Sequence, residues 1–153
     1  LQTLLPQAKI FGVDLSSQQL SGLRKTYPQI ADKAKQADAT TPWTKLPFEI
    51  CDVAFTQAVI MHIHTGDAHL MALENLFKMA RKYVILYESM KNHPFLDDIK
   101  KLHSTKKISW DNIFFYYRIN EENGLPTSMI CSNTSLPYLE LTDYNIFSSD
   151  KKA

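Results

Sequence analysis

Short apolar runs alternate with helical stripes along this chain. Lys9 to Leu15 is a compact, mostly apolar run that ends at an acid, the pattern of a buried strand. Ser16 or Ser17 suits a helix N-cap. Leu20, Leu23 and Tyr27 then follow helical spacing, and Pro28 stops the helix. Lys33 to Ala37 predicts a short edge strand before Asp38-Ala39-Thr40, and Pro42 and Pro47 bracket a loop around Trp43. Ile50 to Met61 predicts a second buried strand. Gly66 and Asp67 open a helix with Leu70, Leu73, Phe77 and Ala80 on one face. Tyr83 to Tyr87 predicts a third strand. Asn92 and Pro94 stand where a cap and a first-turn proline belong, ahead of a stripe of Phe95, Ile99 and Leu102. At the start, Leu1, Leu4 and Leu5 followed by Pro6 read as the last turn of a helix that begins upstream.

The pattern changes past residue 110. Ile113 to Ile119 and Thr127 to Cys131 read as strands on either side of Glu121-Glu122-Asn123-Gly124, and Asn-Gly between strand-like runs signals a hairpin. The tail, with Tyr138, Leu139, Leu141, Tyr144 and Phe147, is expected to pack on the body, and residues 148–153 to fray. Alternating strands and helices predict an α/β fold with a mostly parallel, Rossmann-like sheet covered on both faces and a C-terminal antiparallel hairpin. Residues 1–147 are expected to form a single domain. In such sheets ligands bind beyond the carboxyl ends of the strands, here Asp14, the Thr56–His62 region and Tyr87-Glu88.

Composition narrows the partners. The chain has 153 residues, 44% of them hydrophobic and 22% charged, with a net charge of +1. That is an ordinary globular balance, with no basic surplus for nucleic acid. Lys100, Lys101, Lys106 and Lys107 read as a solvated helix end. The two cysteines, Cys51 and Cys131, lie in strand-like segments and read as buried free thiols. No secretory signal is evident, and the longest apolar stretch is far short of the roughly 20 residues a membrane span needs. A soluble cytoplasmic protein is the expectation.

Three positions carry candidate chemistry. Asp14, at a strand end, can accept hydrogen bonds from both hydroxyls of a ribose, or it can serve as a loop or capping acid. Asp38 can accept from an adenine amino group beside the small Ala39, or it can be a turn aspartate. Thr56-Gln57 breaks an otherwise apolar strand where that strand would meet a ligand crevice, so Gln57 can reach a ligand; satisfaction by backbone is the alternative.

Together these segments resemble a known family. Gly12-Val13-Asp14-Leu15-Ser16, Ala37-Asp38-Ala39-Thr40, Leu46-Pro47-Phe48, Asp52-Val53-Ala54-Phe55 and Ala58-Val59-Ile60-Met61-His62-Ile63 resemble, in order and spacing, successive motifs of the class I S-adenosylmethionine-dependent methyltransferases. Arg81 to Glu88 is similar to the family's fifth strand, and the final hairpin to its sixth and seventh. The resemblance implies a seven-stranded sheet with the last strand antiparallel. It also implies S-adenosylmethionine as cofactor, with Asp14 on the ribose, Asp38 on the adenine amino group, and Leu15 and Ala39 beside the bound nucleoside. Gln57 falls near the methionine part or the substrate entrance. The family's first strand and glycine-rich turn have no counterpart from Leu1 onward, so they are expected upstream, and these residues alone are expected to bind cofactor poorly.

Methyl transfer to oxygen or nitrogen can require a proton acceptor. His62, Glu88 and His93 stand near strand ends; His62 and Glu88 are the catalytic candidates, and His93 reads as a helix-start residue. Trp110, Tyr116 and Tyr117 either line a substrate pocket or pack in the core. The acceptor substrate is expected to be a small molecule or a sugar. Three rivals share parts of the pattern. His62, His64, Asp67 and His69 partly match a metal-dependent hydrolase site. Asp14 also suits a nicotinamide-binding oxidoreductase, and a non-catalytic domain can share the fold.

Overall fold

Ser16 starts the first helix as its sequence requires. It is the N-cap, its Oγ accepts from the Gln19 amide at 3.2 Å, and its own amide donates to Asp14 Oδ1 at 2.7 Å. Replacing Ser16 with alanine removes the Oγ acceptor and is expected to destabilise the chain by about 1 kcal/mol, measurable by urea denaturation. The helix, α1 (Ser17–Thr26), connects β1 (Gly12–Asp14) to β2 (Ala34–Gln36), which pair in parallel. Both strands are shorter than the sequence predicts. Of the expected stripe only Leu20 is buried, and Tyr27 is exposed.

The computed structural model describes residues 6–47, 49–119, 124, 126–136 and 144–148. They fall into two compact units, Leu1–Pro47 and Phe48–Ala153. The expected upstream helix turn, Phe48, most of the Glu121–Gly124 turn and much of the tail lie outside the described residues. Gly124 itself has φ +66°, the left-handed backbone for which a turn selects glycine.

The second unit runs β3 (Cys51–Gln57), a 3-10 turn at Ile60–His62, α2 (Ala68–Met79), β4 (Ala80–Tyr87), α3 (Phe95–Ser104), β5 (Phe114–Ile119), β6 (Pro126–Ser132) and β7 (Tyr144–Ser148). The sheet order is β3-β4-β6-β5-β7. β3 and β4 are parallel; β6 runs antiparallel to both β4 and β5, and β7 is antiparallel to β5. The fold is thus α/β as expected, with parallel βαβ strands followed by an antiparallel set. The reversed hairpin strand is inserted between β4 and β5, and the C-terminal residues add β7, a strand the sequence reading did not foresee. The described strands form one sheet of two and one of five, where the resemblance implied a single sheet of seven.

One face of the second sheet is the core. Register aligns Ala54, Val84, Cys131 and Phe115, and beside them Leu86 and Met129, all buried. α2 packs on β3 and β4, and α3 packs on α2. Alternation puts Val53, Phe55 and Tyr87 on the other face, where they are exposed. β3 also ends four residues early. Ala58 turns into the left-handed region at φ +51°, which removes the chain from the ladder before the apolar Val59-Ile60-Met61 can extend it.

Candidate functional site

In the first unit the parallel register pairs Asp14 with Gln36. The Ala37 amide donates to the Asp14 carbonyl at 3.1 Å, and Gln36 Nε2 donates to the Leu15 carbonyl at 3.0 Å. Asp14 and Asp38 therefore stand at the carboxyl edge of the same two-stranded ladder. Each spends one oxygen locally. Asp14 Oδ1 accepts from the Ser16 amide, and Asp38 Oδ1 accepts from the Thr40 amide at 2.8 Å and the Thr40 hydroxyl at 2.7 Å. The bland roles considered from sequence, loop and turn acid, are thus both real. They leave Oδ2 of each carboxylate without a hydrogen-bond partner among the described residues. Leu15 is exposed and Ala39 half-buried.

In the second unit the ends of β3 and β4 are laced together by backbone and side chains. The Ala58 amide donates to the Tyr87 carbonyl at 3.0 Å. Glu88, buried just past β4, accepts from the Val59 amide on Oε1 at 3.1 Å and from the Met61 amide on Oε2 at 3.0 Å. Asn92 Nδ2 donates to the Met61 carbonyl at 2.9 Å. Asn92 thus serves this turn, and Pro94 occupies the N-cap of α3. Gln57 and His62 are exposed at either end of the turn, and Thr56 Oγ1 is buried without a hydrogen-bond partner.

Next to the turn lies a group of imidazoles in which His93 joins His64 and His69, the pair that the sequence already grouped. His69, on α2, stacks on His93 with ring centroids 4.1 Å apart, and His64 stacks more loosely on the other ring at 5.9 Å. His69 Nε2 is 3.3 Å from Asp98 Oδ2, close enough for an ion pair but not aligned as a hydrogen bond. His69 Nδ1 and His93 Nε2 are buried without partners. Burial pushes the His93 pKa below the usual histidine value, helped by the charge of His69, while a hydrogen bond to the backbone of Ile63 works against the shift. Burial raises Asp98, opposed by His69.

Because His93 is lowered, the folded state resists protonating it. Stability is full above the unfolded-chain value of about 6.5 and falls as pH drops from there through the depressed folded value. Urea midpoints taken across that interval are expected to decline toward acid, and a His93→Phe variant is expected to flatten the decline.

Among the described residues no group of three or more His, Cys, Asp or Glu side chains is arranged to hold a metal ion. The hydrolase alternative is not favoured: His62 and His64 are exposed, and His69 is drawn into the stack. Of the other aromatic candidates, Tyr117 lies half-buried in β5, and two make defined contacts. Trp110 donates from Nε1 to the Ala80 carbonyl and meets Phe77 edge-on, and buried Tyr116 accepts the Leu136 amide on its hydroxyl. Both cysteines are free; burial raises the thiol pKa of each, most strongly for fully buried Cys131.

No protein-family model matches the chain, and no curated protein matches it. Solved structures do. The methyltransferase domain of bacterial CtHen1 aligns with a TM-score of 0.53 at 18% identity, over 84% of this chain and 80% of that one. Monomeric WbdD aligns with a TM-score of 0.50 at 22% identity, over 88% of this chain; the chain spans 33% of WbdD. At these identities the likeness shows the fold alone, one that this chain shares with the methyltransferase domain of CtHen1.

Proposed function

We propose that this chain is a class I methyltransferase domain that uses S-adenosylmethionine to methylate a small molecule or a sugar. The observation that supports this most is the pair of acids at one ladder edge, each with an oxygen that has no hydrogen-bond partner among the described residues once its local bonds are made. Such oxygens fit the donors of an adenosine: ribose hydroxyls at Asp14 and the adenine amino group at Asp38. Leu15 supplies an apolar surface beside them, and Ala39 leaves space.

When bound, the cofactor supplies a methyl group activated on a sulfonium sulfur, so the protein has mainly to position the reactants and exclude water. His62 is the proposed proton acceptor: its imidazole would take the proton of the substrate's nucleophilic oxygen or nitrogen. Gln57 is the proposed polar contact for the reacting partners. A cytoplasmic location belongs to the same reading. No helix among the described residues is long and apolar enough to cross a membrane.

Calorimetric titration with S-adenosylhomocysteine tests the proposal, using the chain together with any residues its gene encodes before Leu1. Saturable one-to-one binding is expected. No binding, or tighter binding of NADH in a parallel titration, would overturn it.

A further inference from the structure

Glu88 follows β4 directly, at the end of a strand where an acid invites a reading as a proton acceptor. Its geometry argues otherwise. The side chain is 4% exposed, and each oxygen already takes a backbone amide from the turn after β3: Val59 on Oε1 and Met61 on Oε2. Two N–H groups converging on one carboxylate form the kind of concave amide pair that usually receives an anion. Here the anion is the protein's own side chain.

The turn it holds is not one its residues would adopt unaided. Ala58 sits at φ +51°, a backbone region that residues with a Cβ avoid and that persists only where the surroundings over-determine it. The partners that hold it here are the last residue of β4 and the segment that follows. The Tyr87 carbonyl takes the Ala58 amide, Glu88 takes the Val59 and Met61 amides, and Asn92 Nδ2 holds the Met61 carbonyl. Gln57 and His62, at the two ends of the clasped turn, remain exposed. Thr56 Oγ1, immediately before it, is buried and unpartnered. Strain, a closed clasp and outward polar side chains coincide at the carboxyl end of a parallel pair, where α/β sheets take their ligands.

We propose that Glu88 is a positioning residue: its carboxylate clasps the Ala58–His62 turn and so presents Gln57 and His62 to the ligand. The ligand class, methyl donor and acceptor, rests on the function proposed above; the clasp does not.

The test uses Glu88→Gln, which keeps the size of the side chain but leaves one oxygen to accept and turns an NH2 donor toward the other amide. Asn92→Ala removes a second clasp bond at the surface, with little risk to folding. Hydrogen exchange by NMR reads the Val59 and Met61 amides directly, and titration with S-adenosylhomocysteine reads the consequence. In Glu88→Gln these amides are expected to exchange roughly tenfold faster or more, and affinity to fall by about tenfold, while the melting temperature falls by only several degrees and the chain stays folded. Asn92→Ala is expected to shift both readouts the same way by less. Unchanged exchange overturns the clasp, and faster exchange with unchanged affinity overturns its positioning role. If the unaltered chain, with any residues its gene encodes before Leu1, does not bind the titrant, the methyl-donor reading fails on its own account, and the exchange data still decide whether Glu88 holds the turn.

Discussion

Replacing Asp14 with asparagine is expected to weaken S-adenosylhomocysteine binding by about ten- to a hundredfold while leaving the fold nearly as stable as before. The argument turns on the two oxygens. Oδ1 accepts the Ser16 amide at 2.7 Å, and an asparagine oxygen can keep that bond. Oδ2 is the atom proposed to meet the ribose, and an amide NH2 in its place donates where it must accept. A hydrogen bond to a charged group is worth about 1.5–3 kcal/mol, or roughly ten- to over a hundredfold in affinity. Asp14→Ala should lose the same affinity and some stability as well, because the Ser16 amide then loses its acceptor. Calorimetry paired with thermal unfolding separates the two losses. Equal affinities for the asparagine variant and the parent would assign Asp14 to the turn alone.

The largest effect on stability is expected from Phe95→Ala, at about 3–5 kcal/mol. Phe95 is the first residue of α3 and is 1% exposed. Its ring meets His93 edge-on, with centroids 5.6 Å apart, so truncation opens a cavity beside an imidazole that is itself buried and short of a hydrogen-bond partner. For a chain of this size each kcal/mol corresponds to about 2–4 °C in Tm. Thermal unfolding followed by circular dichroism should therefore show a fall of roughly 6–20 °C. A fall of under 2 °C would mean that the α2–α3 layer does not depend on this residue.

Much of the fold was legible because apolar runs and capping residues are local signals. Ser16 at the N-cap, Leu20, and the Phe95–Ile99–Leu102 stripe appear as read, and so does the antiparallel pairing of β5 and β6. Local signals end where partners are distant. Nothing about an alanine announces a left-handed turn, so β3 was extended to Met61 on hydrophobicity alone. The partners of Glu88 are main-chain amides on another segment, which carry no side-chain signature, and from sequence the acid reads as a strand-end residue suited to capping or to a substrate contact. Likewise Asn92 beside Pro94 has the composition of a helix start, and its bond to the Met61 carbonyl emerges only when the two strand ends are adjacent. At Asp14 and Asp38 the sequence offered two roles each. The structure fills the modest one, and among the described residues one oxygen of each acid has no hydrogen-bond partner.

The placement of β6 between β4 and β5 has a bearing on how the polypeptide is made. β4 is complete once Tyr87 has been added, yet its second neighbour consists of Pro126–Ser132. A nascent chain emerging amino end first must therefore hold Val84 and Leu86 against water-exposed backbone until that late segment leaves the ribosome. Synthesis that stalls between these points yields a chain with an open ladder and an unfinished core, the kind of species that chaperones retain and proteases clear.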